Sequence, residues 1–391
     1  WQIGTDSYTS LYKDLYEYGT QGQAGSIKNY GVTNNIFNSL FTANYEMDLM
    51  EDLQFAAMLG NEVNQENKRT YEDYGQSFNF GGNPTIQNTT IQSSTWERRR
   101  VRTVGFFGSI SLTWKDQLFL NITGRNDIVS SMPRNNRSFF YPSVSLAYVL
   151  TELEALKGNP ILSFAKVRGS FAQVGQAGTY YENYYYSPSY SGGFWTNRPI
   201  IYPIGGINAF ESYPELYDPK LKPQNTNSYE AGFDVRLFNN RLSIDYTFSR
   251  QNIKNQIFPV PLAGSTGASQ YMANGGKIHT NAHEIIISGQ AINTADFTWD
   301  IGMNWSFIRN MVDELAPGVE NIFLGGFVTP QVRAGIGDTY PVIYGTAFRR
   351  DDQGRILVDE NPNSKTYGMP LTAGDPKVIA KCSPDFVMGI N

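Results

Sequence analysis

The chain has 391 residues, and 31 Lys and Arg against 36 Asp and Glu leave a formal net charge of −5. That acidic balance argues against a nucleic-acid binder, which needs a basic excess to neutralise phosphates. Aromatics at 14% beside charged residues at only 17% exclude a disordered chain, and a single cysteine, Cys382, excludes an internal disulfide framework or a cysteine-based zinc cluster.

No stretch approaches 18 consecutive apolar residues, so no transmembrane helix is expected. A transmembrane barrel needs only every second residue to be apolar, and a mean hydropathy of −0.38 suits a barrel as well as a soluble protein. The sequence opens at Trp1 inside what reads as structured sequence and stops at DFVMGIN (385–391), the first half of a strand. It reads as a piece of a longer protein.

The dominant period is two, the spacing that sends alternate side chains to opposite faces of a strand. Near the start, Ile36–Tyr45 and Leu53–Val63 flank an acidic turn holding Asp48, Glu51 and Asp52. The clearest run is Val101–Trp114. Val104, Phe106, Ile110, Leu112 and Trp114 fall on one face, with Thr103, Ser109, Ser111 and Thr113 on the other, joined by Phe107. After Lys115-Asp116-Gln117, Leu118, Leu120 and Ile122 continue the apolar face, and Thr123, Arg125 and Asp127 the polar one. Further strands are expected over 142–148, 166–172, 229–238, 242–253, 285–292 and 297–308, about ten in all, many as long as the roughly nine to eleven residues that cross a bilayer.

The connections alternate. Tight turns near Asp48, Asp116, Asn239-Asn240 and Ala295 are separated by excursions over about 64–98, 126–139, 175–226 and 255–281. Successive turns of an up-and-down sheet lie at opposite ends, so one end carries tight turns and the other long loops, as in an outer-membrane barrel. The longest excursion supplies Tyr184, Tyr185, Tyr186, Tyr190, Phe194 and Trp195. These rigid, amphipathic side chains suit contact with a substrate or partner, or packing that holds the loop in shape.

Other candidates carry little chemistry. His279 and His283 have the spacing of a helical metal pair, but on a strand four residues span about 13 Å, too far to share an ion. Asp351-Asp352 and Asp359-Glu360 lack calcium-loop spacing and read as solvated loop carboxylates. Arg98-Arg99-Arg100 and Arg102 form the one dense basic cluster, where a long loop enters a strand, and read as a solvated rim. Cys382 reads as an incidental loop residue. Neither a catalytic constellation nor a cofactor motif stands out, so no enzyme and no cofactor are expected.

Several segments resemble the SusC/RagA-type TonB-dependent outer-membrane transporters of Bacteroidetes. NNRSFFYPSVSLAYVLTE (135–152), AKVRGSFAQVGQAG (165–178), DPKLKPQNTNSYEAGFDVRLFNNRLSIDYTFSRQNIKNQI (218–257), TWDIGMNWSFIRNMVDEL (298–315) and DDQGRILVDENP (351–362) follow one another in the family's order. Gln224 stands where the family usually has Glu, and HTNAHE (279–284) only loosely follows its pattern. The resemblance implies an all-β fold: residues 1–391 as a transmembrane antiparallel up-and-down segment, about half of a barrel of about 22 strands. A Tyr-rich extracellular loop is expected at 176–225 and a long loop region at 310–384 before a further strand; the N-terminal extension, TonB box, plug and final strands would lie outside the chain. Val104, Phe106, Ile110, Leu112, Leu118, Leu120 and Ile122 would face lipid. Active import of oligosaccharides or oligopeptides would follow, with a SusD-like surface lipoprotein at the mouth, TonB acting through the plug, and lipid and lipopolysaccharide around the wall. Two alternatives stay open: a barrel serving as scaffold in a larger outer-membrane assembly or secretion complex, and a soluble β-sandwich that binds glycans.

Overall fold

In the computed structural model, residues 1–20, 23–181, 185–186, 189–190, 200–201, 204–209, 211–316, 318–327 and 329–391 are described. Twelve strands form one antiparallel sheet, each beside its neighbours in sequence: β1 (Gln2–Tyr16), β2 (Ser26–Met50), β3 (Leu53–Phe78), β4 (Thr89–Trp114), β5 (Leu118–Val129), β6 (Ser138–Val149), β7 (Leu162–Gln176), β8 (Gln224–Leu237), β9 (Leu242–Lys254), β10 (Lys277–Asn293), β11 (Thr298–Glu314) and β12 (Phe386–Ile390). The chain divides into two compact units: Trp1–Glu46, Ala56–Ile110 and Thr123–Phe140, and Met47–Phe55, Ser111–Ile122 and Tyr141–Asn391.

In the first unit β1 pairs along its whole length with β2, from Gln2↔Leu40 to Tyr16↔Ser26. The sequence pattern does not announce β1: its residues alternate weakly and nearly all are exposed. The expected excursion at 64–98 is instead mostly strand. β3 runs on to Phe78 and β4 begins at Thr89, so the connection shrinks to about ten residues. Apolar alternation records where one face meets an apolar medium, and it fades wherever both faces meet water although the backbone ladder goes on. At 26 residues, β3 and β4 are more than twice as long as a bilayer crossing requires.

In the second unit the register is regular. Tyr229 pairs with Phe171, Phe233 with Val167 and with Tyr246, and Tyr246 with Ile285. Irregularities fall near strand ends, at Arg236/Leu237, Lys277/Ile278 and Gln290/Ile292. The tight turns use left-handed residues: Lys115 and Asp116 have φ of 54° and 52°, and Phe238, Asn239 and Asn240 have 56°, 57° and 64°. Two consecutive residues with positive φ turn the chain with the right-handed twist of the flanking strands. DFVMGIN forms β12, paired with β11 from Met303↔Ile390 to Phe307↔Phe386.

The long connections of this unit carry their own structure. Glu215–Tyr217, Gln270–Asn274 and Ile257–Pro261 make a three-stranded sheet, and Asn321–Gly326, Gln331–Gly335, Val342–Gly345 and Lys377–Lys381 a four-stranded one. Phe258, Ile278, Val312, Leu315 and Ala334 bury a small core where these loops meet the ends of β10 and β11. Farther along, Asp351 accepts hydrogen bonds from the Gln353 and Arg355 amides and from Arg355 Nε, at 3.0, 2.8 and 2.6 Å. The Arg355 side chain foremost, then the turn amides, hold its carboxyl below the usual carboxylate range. A depressed folded-state pKa gives a contribution that is complete above the ordinary value and fades as pH falls through the lowered one. Amide protection of Gln353 and Arg355, corrected for intrinsic exchange, is therefore expected to persist at pH 5 and to fall well below pH 3.8. Unchanged protection at pH 2 refutes the role given to Asp351.

Candidate functional site

The sheet sorts chemistry by face. In the first unit, Arg125 on β5 donates from Nη2 to Glu62 Oε2 on β3 and from Nε to Asp127 Oδ1, each at 2.8 Å. Its guanidinium lies 5.4 Å from the centre of the Phe107 ring. Glycine makes room for this group: a Cβ on Gly60 would stand 2.3 Å from the Phe107 ring, and one on Gly105 2.5 Å from Arg125 Nη2. Along the same face, Asn34 donates to Glu66 at 3.0 Å, Asn64 donates to Asn38, and Lys28 pairs with Glu72 at 2.6 Å.

The second unit repeats the theme with other residues. Arg168 on β7 forks across to Asp245 on β9 at 2.8 and 3.0 Å and donates to Thr247 Oγ1 at 2.6 Å, bridging over Gly232 of β8. Two parallel N–H···O bonds fix the guanidinium plane against the carboxylate. Beside them lies a recess of ≈ 490 Å³ whose lining includes Ser111, Asn121, Ser145, Ser170, Glu230 and Thr247. Paired charges surrounded by hydroxyls and amides can exchange hydrogen bonds with a polar solute without any covalent step.

The other face is greasy and open. Phe106, Ile110 and Ile122 are 54%, 44% and 45% exposed, while Val104, Leu112, Leu118 and Leu120 are half-buried. Aromatic pairs continue across the second unit: Phe171 with Tyr229, Phe233 with Tyr246, and Trp305 with Phe307. His283 sits in this aromatic row with its Nδ1 2.8 Å from the Tyr246 hydroxyl, and His279 faces Asp313 at 2.8 Å. The two histidines thus serve separate partners.

Of the aromatic loop, Tyr184, Phe194 and Trp195 lie outside the described residues. Tyr185, Tyr186 and Tyr190 are described by backbone alone, in short ladders with Ser212, Glu211 and Ile200. Tyr180 and Tyr181, beside them in sequence, pack edge-on against Tyr217 at 6.2 and 5.6 Å. Burial and the hydrogen bond to Glu215 push the Tyr217 hydroxyl well above the usual tyrosine range. Sequence reasoning missed Tyr217 and the Arg168–Asp245 pair. Alternation puts Arg168 and Asp245 on the polar face, but no local signal joins residues 77 positions apart.

The family model described as TonB dependent receptor-like, beta-barrel matches residues 1–370. TonB-dependent receptor P3 of Formosa agariphila is 25% identical over 336 residues, covering 80% of this chain and 31% of its own length. TonB-dependent receptor SusC of Bacteroides thetaiotaomicron is 24% identical over 390 residues, covering 95% and 37%. The chain thus spans about a third of these relatives. Among solved structures, the RagAB peptide transporter superposes with a TM-score of 0.77 at 16% identity, over 99% of this chain and 42% of that one.

Proposed function

The chain belongs to the TonB-dependent receptor-like β-barrel family and so to the outer membrane, and from that premise we propose that it forms part of the wall of an energised importer. The carrying observation is the sorting of the two faces within one sheet. The wall turns Val104, Phe106, Ile110, Leu112, Leu118, Leu120 and Ile122 to hydrocarbon. Arg125, Asp127, Arg168 and Asp245 face a watery lumen, where paired charges remain hydrated. Mid-depth charges on the lipid side would be costly, whereas lumenal ones are tolerated. A sandwich that binds glycans is a different fold from this family's.

The cargo is an oligosaccharide or an oligopeptide too large for a simple pore. Residues 176–225 and 310–384 form the extracellular mouth, and Tyr184, Tyr185, Tyr186, Tyr190, Phe194 and Trp195 contact cargo or a SusD-like lipoprotein lid. TonB acts through a plug contributed by the rest of the protein. The name of the RagAB neighbour, a peptide transporter, supports the peptide side of this choice. The test deletes the whole gene in its host and purifies the intact complex in detergent. Expected are the loss of growth on one class, defined oligosaccharides or oligopeptides as sole source, and co-purification of a surface lipoprotein. Unchanged growth on both classes, with assembly factors in place of a lipoprotein, overturns import in favour of a scaffold.

A further inference from the structure

On the greasy face of the first unit, the apolar side chains stop at one level on two neighbouring strands. On β3 the face reads Ala57, Leu59, Asn61, Val63 and then Gln65, Asn67, Arg69; on β4, read upward, it is Phe106, Val104 and then Arg102, Arg100, Arg98, Trp96. Side-chain bonds show that the two polar runs share a face: Arg98 Nε donates to Asn67 Oδ1 at 3.0 Å, and Arg102 Nε to Gln65 Oε1 at 3.0 Å. Arg69, Arg98, Arg100 and Arg102 are exposed, and Trp96 is 76% exposed. These partners of Arg98 and Arg102 are neutral amides, so they orient each guanidinium without cancelling its charge. The carboxylates of β3 below Asp73 go to the opposite face, where Glu62, Glu66 and Glu72 meet Arg125, Asn34 and Lys28.

The level is informative. From Trp114 to Val104 is ten residue steps, about 33 Å along a strand, or about 25 Å along the membrane normal at a tilt of about 40°, the height of a barrel's apolar band. Arg102 comes one same-face step above that band, at the headgroups. Strand β4 reaches this level from the tight turn at Lys115-Asp116, on the side of the long strand extensions, which is the outer leaflet.

We infer that Arg69, Arg98, Arg100 and Arg102, with Trp96 above them, form a docking site for the phosphorylated sugar headgroup of lipid A. Guanidinium forks match phosphate oxygens two at a time, and an exposed indole offers a flat apolar surface to a sugar ring. The inference rests on the outward facing of the Val104 face, and the test separates the two.

The intact protein is purified in detergent, unmodified and as R98Q/R100Q/R102Q, with R349Q/R350Q/R355Q as an exposed-arginine control. Native mass spectrometry then measures binding of bis-phosphorylated and dephosphorylated lipid A. Expected is about ten-fold tighter binding of the phosphorylated form, lost in the first variant, kept in the control, and weakened as salt is raised. Equal binding of both forms, or full retention in the first variant, overturns the site. Quenching by brominated lipid of a fluorophore at Val104→Cys, introduced together with Cys382→Ser to remove the exposed native thiol, reports facing independently. Quenching without phosphate selectivity removes only this inference, and no quenching removes the outward reading on which it rests.

Discussion

Replacing Ile110 by arginine is expected to destabilise the folded protein in lipid by about 2–4 kcal/mol, a shift of roughly 30- to 900-fold in the folding equilibrium. Ile110 lies near the middle of the apolar run of β4 and is 44% exposed on its open side. An arginine there must carry its guanidinium into hydrocarbon or reach for the interface, at a cost that falls toward the headgroups. Its neighbour Ser111 points the other way, where its hydroxyl donates to Asn121. Ser111→Arg therefore enters the polar face and is expected to cost about 1 kcal/mol or less, the scale of one neutral hydrogen bond. Folding of the intact barrel into vesicles, followed by urea titration, reads both variants. Equal costs at the two positions contradict the assignment of faces, since one residue step is all that separates them.

That contrast also explains what the sequence made legible. The hairpin of β4 and β5 stood out because apolar side chains gather on one of its faces and polar ones on the other, and the period-two pattern is the imprint of that difference. The same reasoning set the end of β3 at Val63, because beyond it Asn64, Gln65, Glu66, Asn67 and Lys68 put polar groups on both faces. The structure carries the strand on to Phe78. What continues is backbone pairing, which leaves no mark on side-chain polarity. β1 went unread for a related reason: Ser7, Tyr8, Thr9 and Ser10 suit a strand wetted on both sides. Partner choice was hidden differently. Arg125 and Asp127 read as polar-face residues, yet Glu62 enters from a strand 63 positions away, which only the register fixes. The loop sheets rest on contacts such as Phe258 with Val312, distant in sequence and without periodic signal.

Gly232→Val tests how tightly the polar pair of the second unit depends on its backbone. Gly232 lies in the centre of β8, opposite Thr247 on one side and Arg168 on the other. A Cβ at this position would stand 2.5 Å from the carbonyl oxygen of Tyr246 and 3.1 Å from Arg168 Nε. The first contact is with backbone that cannot rotate away; the second is with a side chain that can. Relief requires β8 and β9 to separate locally and Arg168 to swing off Asp245, so its two-point grip is lost together with ladder hydrogen bonds. The expected cost is about 1–3 kcal/mol, the usual range for overpacking. The origin of that cost is separable. In an Arg168→Ala background the guanidinium is gone, and the same glycine substitution should cost less by the part that displaced it, a coupling on the order of 0.5–1 kcal/mol. Full additivity in this cycle, measured by urea titration of the four proteins, places the whole strain on the Tyr246 carbonyl and leaves Gly232 no role in seating Arg168.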